Sequence, residues 1–416
     1  MALYDHLNGY GSRARSASRV IARTSTAVKN SVLDRLAALL EERENALLAA
    51  NAIDLERSEQ AGLSPAQFDR LRLDGSRVRS MAAGLRQVAT LPDPVGEVTA
   101  GRLLANGLQV EQVRVPLGVI GIVYENRPNV TADAAGLCLK SGNAVILRGS
   151  SSAMESNKAI VTVIRDALAE NGLPEDCAIL LEDGSHEAAV EFMRMNGYVD
   201  CLIPRGGKSL LSTVIENATV PVIIDGDGNC HIYVDSHADI DMALDILANA
   251  KLQRPGVCNA AESLVVHRDI AAEFLPLAVK ALPGVELVGD ASAREVVPLM
   301  GIATQEDFGT EYLALKMSVA VVDSLDDAIS HINTYGSGHS EAIVTDNVYA
   351  AERFLREVDA AAVLVNASTR LVDGGELGLG AEIGISTQKL HARGPMGLRE
   401  LTCVKWVLRG NGQVRQ

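Results

Sequence analysis

The sequence predicts an α/β protein built on a doubly wound parallel sheet, with a second, smaller α/β domain and a β arm. Three observations carry that prediction. From Pro116 onward, short apolar runs alternate with helical patterns. Those runs are apolar throughout rather than at every second residue, as strands buried on both faces require. The polar, glycine-rich segments follow the runs directly, where an open α/β sheet keeps its ligand loops.

Residues 11–91 read as helical, since Leu36, Leu39, Leu40, Leu47 and Leu48 recur at helical spacing beside Glu41, Glu42, Arg43 and Glu44. One face packs and the other is wet. Leu91-Pro-Asp-Pro-Val-Gly96 ends this region. Residues 98–104 and 108–115 flank Asn106-Gly107, the strongest short hairpin signal, and form an arm suited to self-association. Strands then follow at 118–124, 144–147, 178–181, 199–204 and 220–224, with helices at 131–140, 154–169, 187–195 and 208–217. In the smaller domain, strands at 263–267, 285–288, 318–322 and 342–345 alternate with helices at 271–281 and 325–333. Residues 401–408 alternate as an edge strand, expected to pair with the arm hairpin and join subunits.

Composition excludes several function classes. A formal net charge of −15 opposes nucleic-acid or anionic-membrane partners, and 3% aromatic residues leave little for base stacking. No apolar run approaches the ~20 residues of a membrane span, and no signal-peptide core is visible. Residues 12–23 are Arg- and Ser-rich like a transit peptide, but run on into a regular amphipathic pattern and are read as a native helix. The six cysteines are unpatterned, with no CxxC pair, which indicates a reducing, cytoplasmic setting and no metal site.

Cys258 stands apart from the other cysteines. The helix through Met242, Leu244, Ile246, Leu247 and Ala250 must end at Pro255-Gly256, and Ser263-Leu-Val-Val266 begins a strand, so Cys258 lies in a short loop between small residues. A thiol there is open to a ligand, with backbone N–H groups close by to face an oxyanion. Cys138, Cys177, Cys201 and Cys403 border apolar runs and read as buried core cysteines, as does Cys230 less clearly. Among the loops, Arg148-Gly149-Ser150-Ser151-Ser152 and Arg205-Gly206-Gly207-Lys208 are the best candidates for a dinucleotide, because glycine admits phosphate to the backbone and arginine supplies charge-assisted bonds. No GxGxxG follows the first sheet strand; Gly378-Leu-Gly-Ala-Glu-Ile-Gly384 has the wrong spacing.

Residues Gly118–Tyr124, Ser141–Arg148, the Cys258 loop, Tyr335-Gly-Ser-Gly-His339 and Val363-Leu-Val-Asn366 together resemble the aldehyde dehydrogenase superfamily, in order and across nearly the whole chain. Glu125-Asn-Arg-Pro-Asn129, Tyr335–Glu341 and Ser386–Pro395 resemble, more closely, the gamma-glutamyl phosphate reductases of proline biosynthesis. The resemblance implies NADPH-dependent reduction of L-glutamyl 5-phosphate to L-glutamate 5-semialdehyde with release of phosphate. Cys258 would be the nucleophile, acylated as phosphate leaves and reduced by hydride. Ungapped alignment sets the superfamily's oxyanion asparagine at Arg127, so Asn126 and Asn129 on either side both stand as candidates. Glu311 aligns with the glutamate that holds the nicotinamide ribose. Ser151 replaces a glutamate common in NAD-preferring relatives and, with Arg148, would welcome a ribose 2′-phosphate.

The oxidative relatives carry a glutamate base where this chain has Asp225-Gly-Asp-Gly-Asn229, and an acyl-enzyme resolved by hydride needs no such base. Arg127, His339 and Arg393 are read as substrate ligands, Arg393 as a carboxylate or phosphate clamp. The resemblance divides the chain into an NADPH-binding domain at 1–97 and 116–230 with a return near 370–396, a catalytic domain at 231–369, and an oligomerisation arm at 98–115 and 397–416. Expected partners are a small-molecule substrate, further copies of the chain in a dimer or tetramer, and a separate glutamate 5-kinase in transient contact, since no kinase segment precedes residue 1. Two alternatives carry different chemistry: a hydrolytic semialdehyde dehydrogenase using the same cysteine, and a cofactor-binding protein without catalysis.

Overall fold

A computed structural model describes residues 2–415. The chain divides into two compact units. One holds the chain up to Ile224 together with Leu379–Gly384 and the segment from Met396 on, and the other holds Asp225–Gly378 and Ile385–Pro395.

The first unit opens with five helices: α1 (Ala2–Ile21), α2 (Thr26–Glu42), α3 (Glu44–Gln60), α4 (Pro65–Leu71) and α5 (Gly75–Thr90). Ser25, Ser64 and Asp74 cap α2, α4 and α5 through side-chain oxygens, satisfying N–H groups that a helix start leaves unpaired. The hairpin β1 (Val98–Leu103) and β2 (Gln109–Pro116) turns at Asn106-Gly107, with Gly107 at φ +82.

Then come β3 (Val119–Tyr124), α6 (Pro128–Lys140), β4 (Ala144–Arg148), α7 (Met154–Glu170), β5 (Ala178–Leu180), α8 (His186–Phe192), β6 (Cys201–Arg205) and α9 (Lys208–Asn217). The four strands form a parallel sheet in the order β5-β4-β3-β6. Every residue of β3 is buried, which is why the run reads as apolar throughout. Leu7 and Ala14 of α1 and Phe192 of α8 pack on one face of the sheet. From the other face Tyr124 bonds Thr131 of α6 through its hydroxyl at 2.7 Å. The sheet is thus wound on both sides.

The strand expected at 220–224 is absent. Val222 makes a single parallel bridge to Leu202, because Pro221 has no N–H to continue a ladder.

The second unit contains β7 (Cys230–Val234), α10 (Ile240–Leu252), β8 (Ala261–His267), α11 (Arg268–Ala281), β9 (Glu286–Gly289), α12 (Ala291–Val296), β10 (Gly301–Ile302), α13 (Gln305–Phe308), β11 (Lys316–Val322), α14 (Leu325–Tyr335), β12 (Ser340–Val344), α15 (Val348–Glu357) and β13 (Ala362–Val365). Its seven strands run in the order β10-β9-β11-β8-β7-β12-β13, all parallel. The smaller unit therefore carries the larger sheet. A two-stranded antiparallel piece, β14 (Ile385–Ser386) with β15 (Gly394–Pro395), belongs to this unit.

The last strand, β16 (Thr402–Arg409), pairs antiparallel with β2 from Thr402 opposite Pro116 to Arg409 opposite Gln109. The expected pairing with the hairpin occurs, but within one chain rather than between subunits. Cys403 lies on this strand and is exposed, against the expectation of a core cysteine. Cys138, Cys177, Cys201 and Cys230 are buried. Burial pushes the Cys177 and Cys201 thiols up to about 12, so they are inert sulfur at neutral pH.

Candidate active site

Cys258 sits in the loop between α10 and β8, at the amino end of the second unit's parallel sheet. Asp239 caps α10 through its carboxylate on Met242 N at 2.9 Å, and the helix stops at Leu252, short of Pro255. Cys258 is half-buried, unlike the enclosed Cys138 and Cys230.

Two features hold it. The Cys230 thiol donates to the Cys258 carbonyl at 3.1 Å from the first residue of β7. The loop before β7 also runs against it, so closely that a Cβ built on Gly228 would stand 1.6 Å from the Cys258 carbonyl oxygen. Only glycine fits there.

The neighbouring Asn259 is buried and fixed at both ends: its amide nitrogen donates to Val372 O at 2.8 Å, and its oxygen accepts from Arg370. Asn229 tethers the other side, with its amide nitrogen on Phe308 O at 2.7 Å and Tyr335 O at 2.8 Å, and its own N–H on Ser337 Oγ at 3.0 Å. Glu311 joins this group, since its Oε1 accepts from Gly228 N at 2.8 Å. The predicted nucleophile and the predicted nicotinamide-ribose glutamate are therefore one residue apart through Gly228.

His339 does not line a surface. Its ring is fully buried, Nδ1 lies 2.8 Å from Ser340 Oγ and 3.7 Å from Cys230 Sγ, and burial lowers its pKa to about 4. The reading of His339 as a substrate ligand is corrected to a neutral packing residue behind the thiol that supports Cys258. Arg393 donates to Asp359 Oδ1 at 2.7 Å, and Lys389 contacts the same carboxylate at 2.5 Å, so the predicted clamp already grips a carboxylate of its own chain.

In the first unit, the predicted cofactor residues gather at the carboxyl ends of β3, β4 and β6. Asn126 accepts from Ser152 Oγ through its amide oxygen. Asn129 is exposed and donates along α6 to Asp133 Oδ2 at 3.0 Å. Arg127 is exposed and occupies the N-cap of α6 without a side-chain capping bond. The Arg148 guanidinium donates to the carbonyls of Gly184 and Ser185 at 2.9 and 3.1 Å, and burial lowers its pKa. Gly149 is required by packing, because a Cβ would lie 2.2 Å from Asn157 Nδ2. Ser150 caps the turn into α7, its hydroxyl 2.8 Å from Ser152 Oγ, while Ser151 is exposed.

Both helix starts beside these loops carry a carboxylate of the chain itself. Asp54 accepts from Glu155 N and Ser156 N of α7 at 3.2 and 2.8 Å. Glu125 accepts from Gly207 N, the N-cap of α9, at 3.1 Å, and a Cβ on Gly206 would strike the Glu125 side chain at 2.7 Å. Arg205 ends β6 beside it, and its carbonyl accepts from Glu125 N at 3.1 Å. The α9 start accepts an anion, as the partial positive charge of a helix N-terminus dictates. The Lys208 side chain lies outside the described residues.

The chain matches the model of the aldehyde dehydrogenase family over residues 6–308 and 294–407. It is 57% identical over 408 residues to the gamma-glutamyl phosphate reductase of Moorella thermoacetica, covering 98% of each chain. The chain belongs to the aldehyde dehydrogenase family, in its gamma-glutamyl phosphate reductase branch. The crystal structure of gamma-glutamyl phosphate reductase from Thermotoga maritima superposes with a TM-score of 0.97 at 48% identity, covering 99% of this chain and 100% of that one. A glyceraldehyde-3-phosphate dehydrogenase from Methanocaldococcus jannaschii, solved with NADP, shares the fold at a TM-score of 0.70 and 16% identity, over 98% of this chain and 95% of that one.

The family uses NAD(P) and acts on small-molecule substrates. Among the described residues, no helix is long and apolar enough to cross a membrane, and no group of acidic, histidine or cysteine side chains is arranged to hold a metal.

Several residues that build the site escape a sequence reading. Gly228 and Asn229 lie within the Asp225–Asn229 segment, noted above for the glutamate it lacks. Arg370 carries no motif at all. Lys251 falls on the apolar face of α10, and Glu262 is the second residue of a strand buried up to Val266; those misplaced charges are the available signal.

Gly228→Ala is expected to destabilise the fold by about 3 kcal/mol or more, because the clash is with backbone that cannot repack. Denaturant unfolding measures it, and a variant within about 0.5 kcal/mol of the parent would show that the two loops are not locked together.

Proposed function

We propose that the chain reduces L-glutamyl 5-phosphate to L-glutamate 5-semialdehyde, releasing phosphate, through a thioester on Cys258. The observation that carries this reading is the identity to gamma-glutamyl phosphate reductase over nearly the full length of both chains. The half-buried Cys258 beside Glu311 supports it.

The Cys258 thiolate attacks the acyl carbon, the carbon–sulfur bond forms, and the carbon–oxygen bond to phosphate breaks with phosphate taking the electron pair. NADPH, when bound, supplies the hydride that reduces the acyl group. Reduction then ends with sulfur leaving as thiolate and the oxyanion closing to the aldehyde. Backbone N–H at Cys258 and the amide of Asn126 are assigned to that oxyanion, each such donor being worth on the order of 10²–10³ in rate. Asn126 is preferred over Asn129, whose amide is turned along α6 toward Asp133.

The unit up to Ile224 is read as the cofactor domain. The α9 start at Gly206-Gly207 fits a dinucleotide phosphate, since Glu125 already holds an anion's place there. The exposed Ser151 puts no acidic group where a ribose 2′-phosphate would sit, which favours NADP over NAD. Arg127 and Arg393 are assigned to the substrate's anionic ends. The unit from Asp225 is read as catalytic. A kinase forming the acyl phosphate is the partner reaction this substrate requires, and the reducing cytoplasm suits the thiols of Cys258 and Cys403.

The assay is phosphate-dependent reduction of NADP in the presence of glutamate semialdehyde. Turnover should require phosphate, prefer NADP to NAD by about tenfold or more, and fall by about 10³ or more in Cys258→Ala. Turnover without phosphate would replace this reading by the hydrolytic one, and an active Cys258→Ala would remove the thioester.

We further infer that the arm mediates self-association. Val404, Trp406 and Leu408 of β16 are each about half exposed on one face of the three-stranded sheet, at 45%, 55% and 55%. Trp406→Glu should lower the mass measured by light scattering to that of a monomer; an unchanged mass would put the contact elsewhere.

A further inference from the structure

Lys251 and Glu262 stand on either side of Cys258 in the chain, one on α10 and the other on β8. Their side chains are fully buried and meet at 2.6 Å, Nζ to Oε2. Such a pair has a bland reading, two charges neutralising each other, and replacing both with apolar groups is often harmless to stability.

The second carboxylate oxygen has a separate partner. Glu262 Oε1 accepts from Leu313 N at 3.1 Å. Leu313 has φ +53, a left-handed backbone that leucine adopts only where its surroundings hold it. The same segment carries Glu311, which binds Gly228 N, and Gly228 abuts the Cys258 carbonyl. The contacts close a circuit from the Cys258 loop through Gly228, Glu311, Leu313 and Glu262 back to β8.

We propose that Glu262 is a positioning residue whose hydrogen bond from Leu313 N locks the Glu311 segment to the Cys258 loop, with Lys251 as the buried counter-charge that keeps it there. The inference rests on the reading of Cys258 as nucleophile and Glu311 as a cofactor ligand. Its content is that the thiol and the cofactor segment respond to each other through one carboxylate. Burial raises the Glu262 carboxyl to about 7 and lowers the Lys251 pKa, so removing one partner alone disturbs the charge of the other. The test must change both.

Two double variants of the full chain separate the roles. Lys251→Met with Glu262→Gln removes the charges and keeps an oxygen for Leu313 N. Lys251→Met with Glu262→Met removes the charges and the acceptor. Melting temperature, kcat, KM and the rate of Cys258 alkylation by iodoacetamide with and without NADP are read on each.

The Gln double should keep kcat within about threefold of the parent, whereas the Met double should lose about 10–100-fold in kcat with KM little changed, as sub-ångström misplacement of a nucleophile does. NADP should change the alkylation rate about threefold or more in the parent and in the Gln double, and leave it unchanged in the Met double. Equal activity in the two doubles would overturn the proposal.

If the Met double fails to fold, the parent still decides, because an alkylation rate insensitive to saturating NADP contradicts the coupling. Cys258→Ser, run alongside, tests the nucleophile itself, so loss of that reading is distinguishable from loss of this one.

Discussion

In the second unit two backbone segments, the turn at Gly228 and the carbonyl of Cys258, lie so close that no side chain fits between them. Much of the site follows from that contact. The glycine must lack a side chain, its N–H must find an acceptor, and Glu311 provides it at 2.8 Å. The thiol of Cys230, one strand away, satisfies the Cys258 carbonyl from behind. A reactive residue on a loop ordinarily moves with the loop. Here the loop is fixed by backbone contacts on one side and by the Asn259 amide on the other, so the sulfur is held without its own side chain being enclosed.

Electrostatics work differently in the two units. Around Cys258, burial dominates: His339 is held neutral, with a pKa near 4, and Cys230 is pushed well above the ordinary thiol range. These groups add no charge near neutral pH; the charged side chains that meet the Cys258 loop and its neighbours include Glu311 on Gly228 N, Arg370 on Asn259 and the buried Lys251–Glu262 pair. In the first unit, Asp54 and Glu125 neutralise the starts of α7 and α9 with carboxylates. The chain thus supplies its own anions where glycine-rich turns meet helices, and the one at α9 lies against Gly206 and Gly207.

Most of the fold was legible because parallel strands buried on both faces leave unbroken apolar runs and because Asn-Gly and Pro-Gly punctuate them. The failures have local causes. Residues 220–224 look like another strand, but Pro221 lacks the N–H a ladder needs. Helix α15 was missed because its amphipathic pattern is short and begins only after the Asp346-Asn347 turn, where Asn347 caps it. Cys403 borders an apolar stretch, yet β16 is the edge of a three-stranded sheet and its residues from Cys403 to Trp406 are exposed on both faces.

In the site, the loop holding Cys258 was readable from helix-ending residues, and Glu311 from resemblance. The pairing of Lys251 with Glu262 was not, since nothing local says which distant charge a buried acid will meet. His339 was misjudged because a Gly-Ser-Gly-His stretch suggests an open loop, whereas β12 begins at once and draws the ring inside.

The central claim is that an acyl group passes through the sulfur of Cys258. Acid quenching of the enzyme mixed with glutamyl phosphate generated in place, with reductant cofactor withheld, followed by peptide mass analysis, examines it directly. The account predicts a glutamyl adduct on the peptide containing Cys258 that disappears when NADPH is added before the quench. An unmodified Cys258 peptide from an enzyme that turns over fully would contradict it.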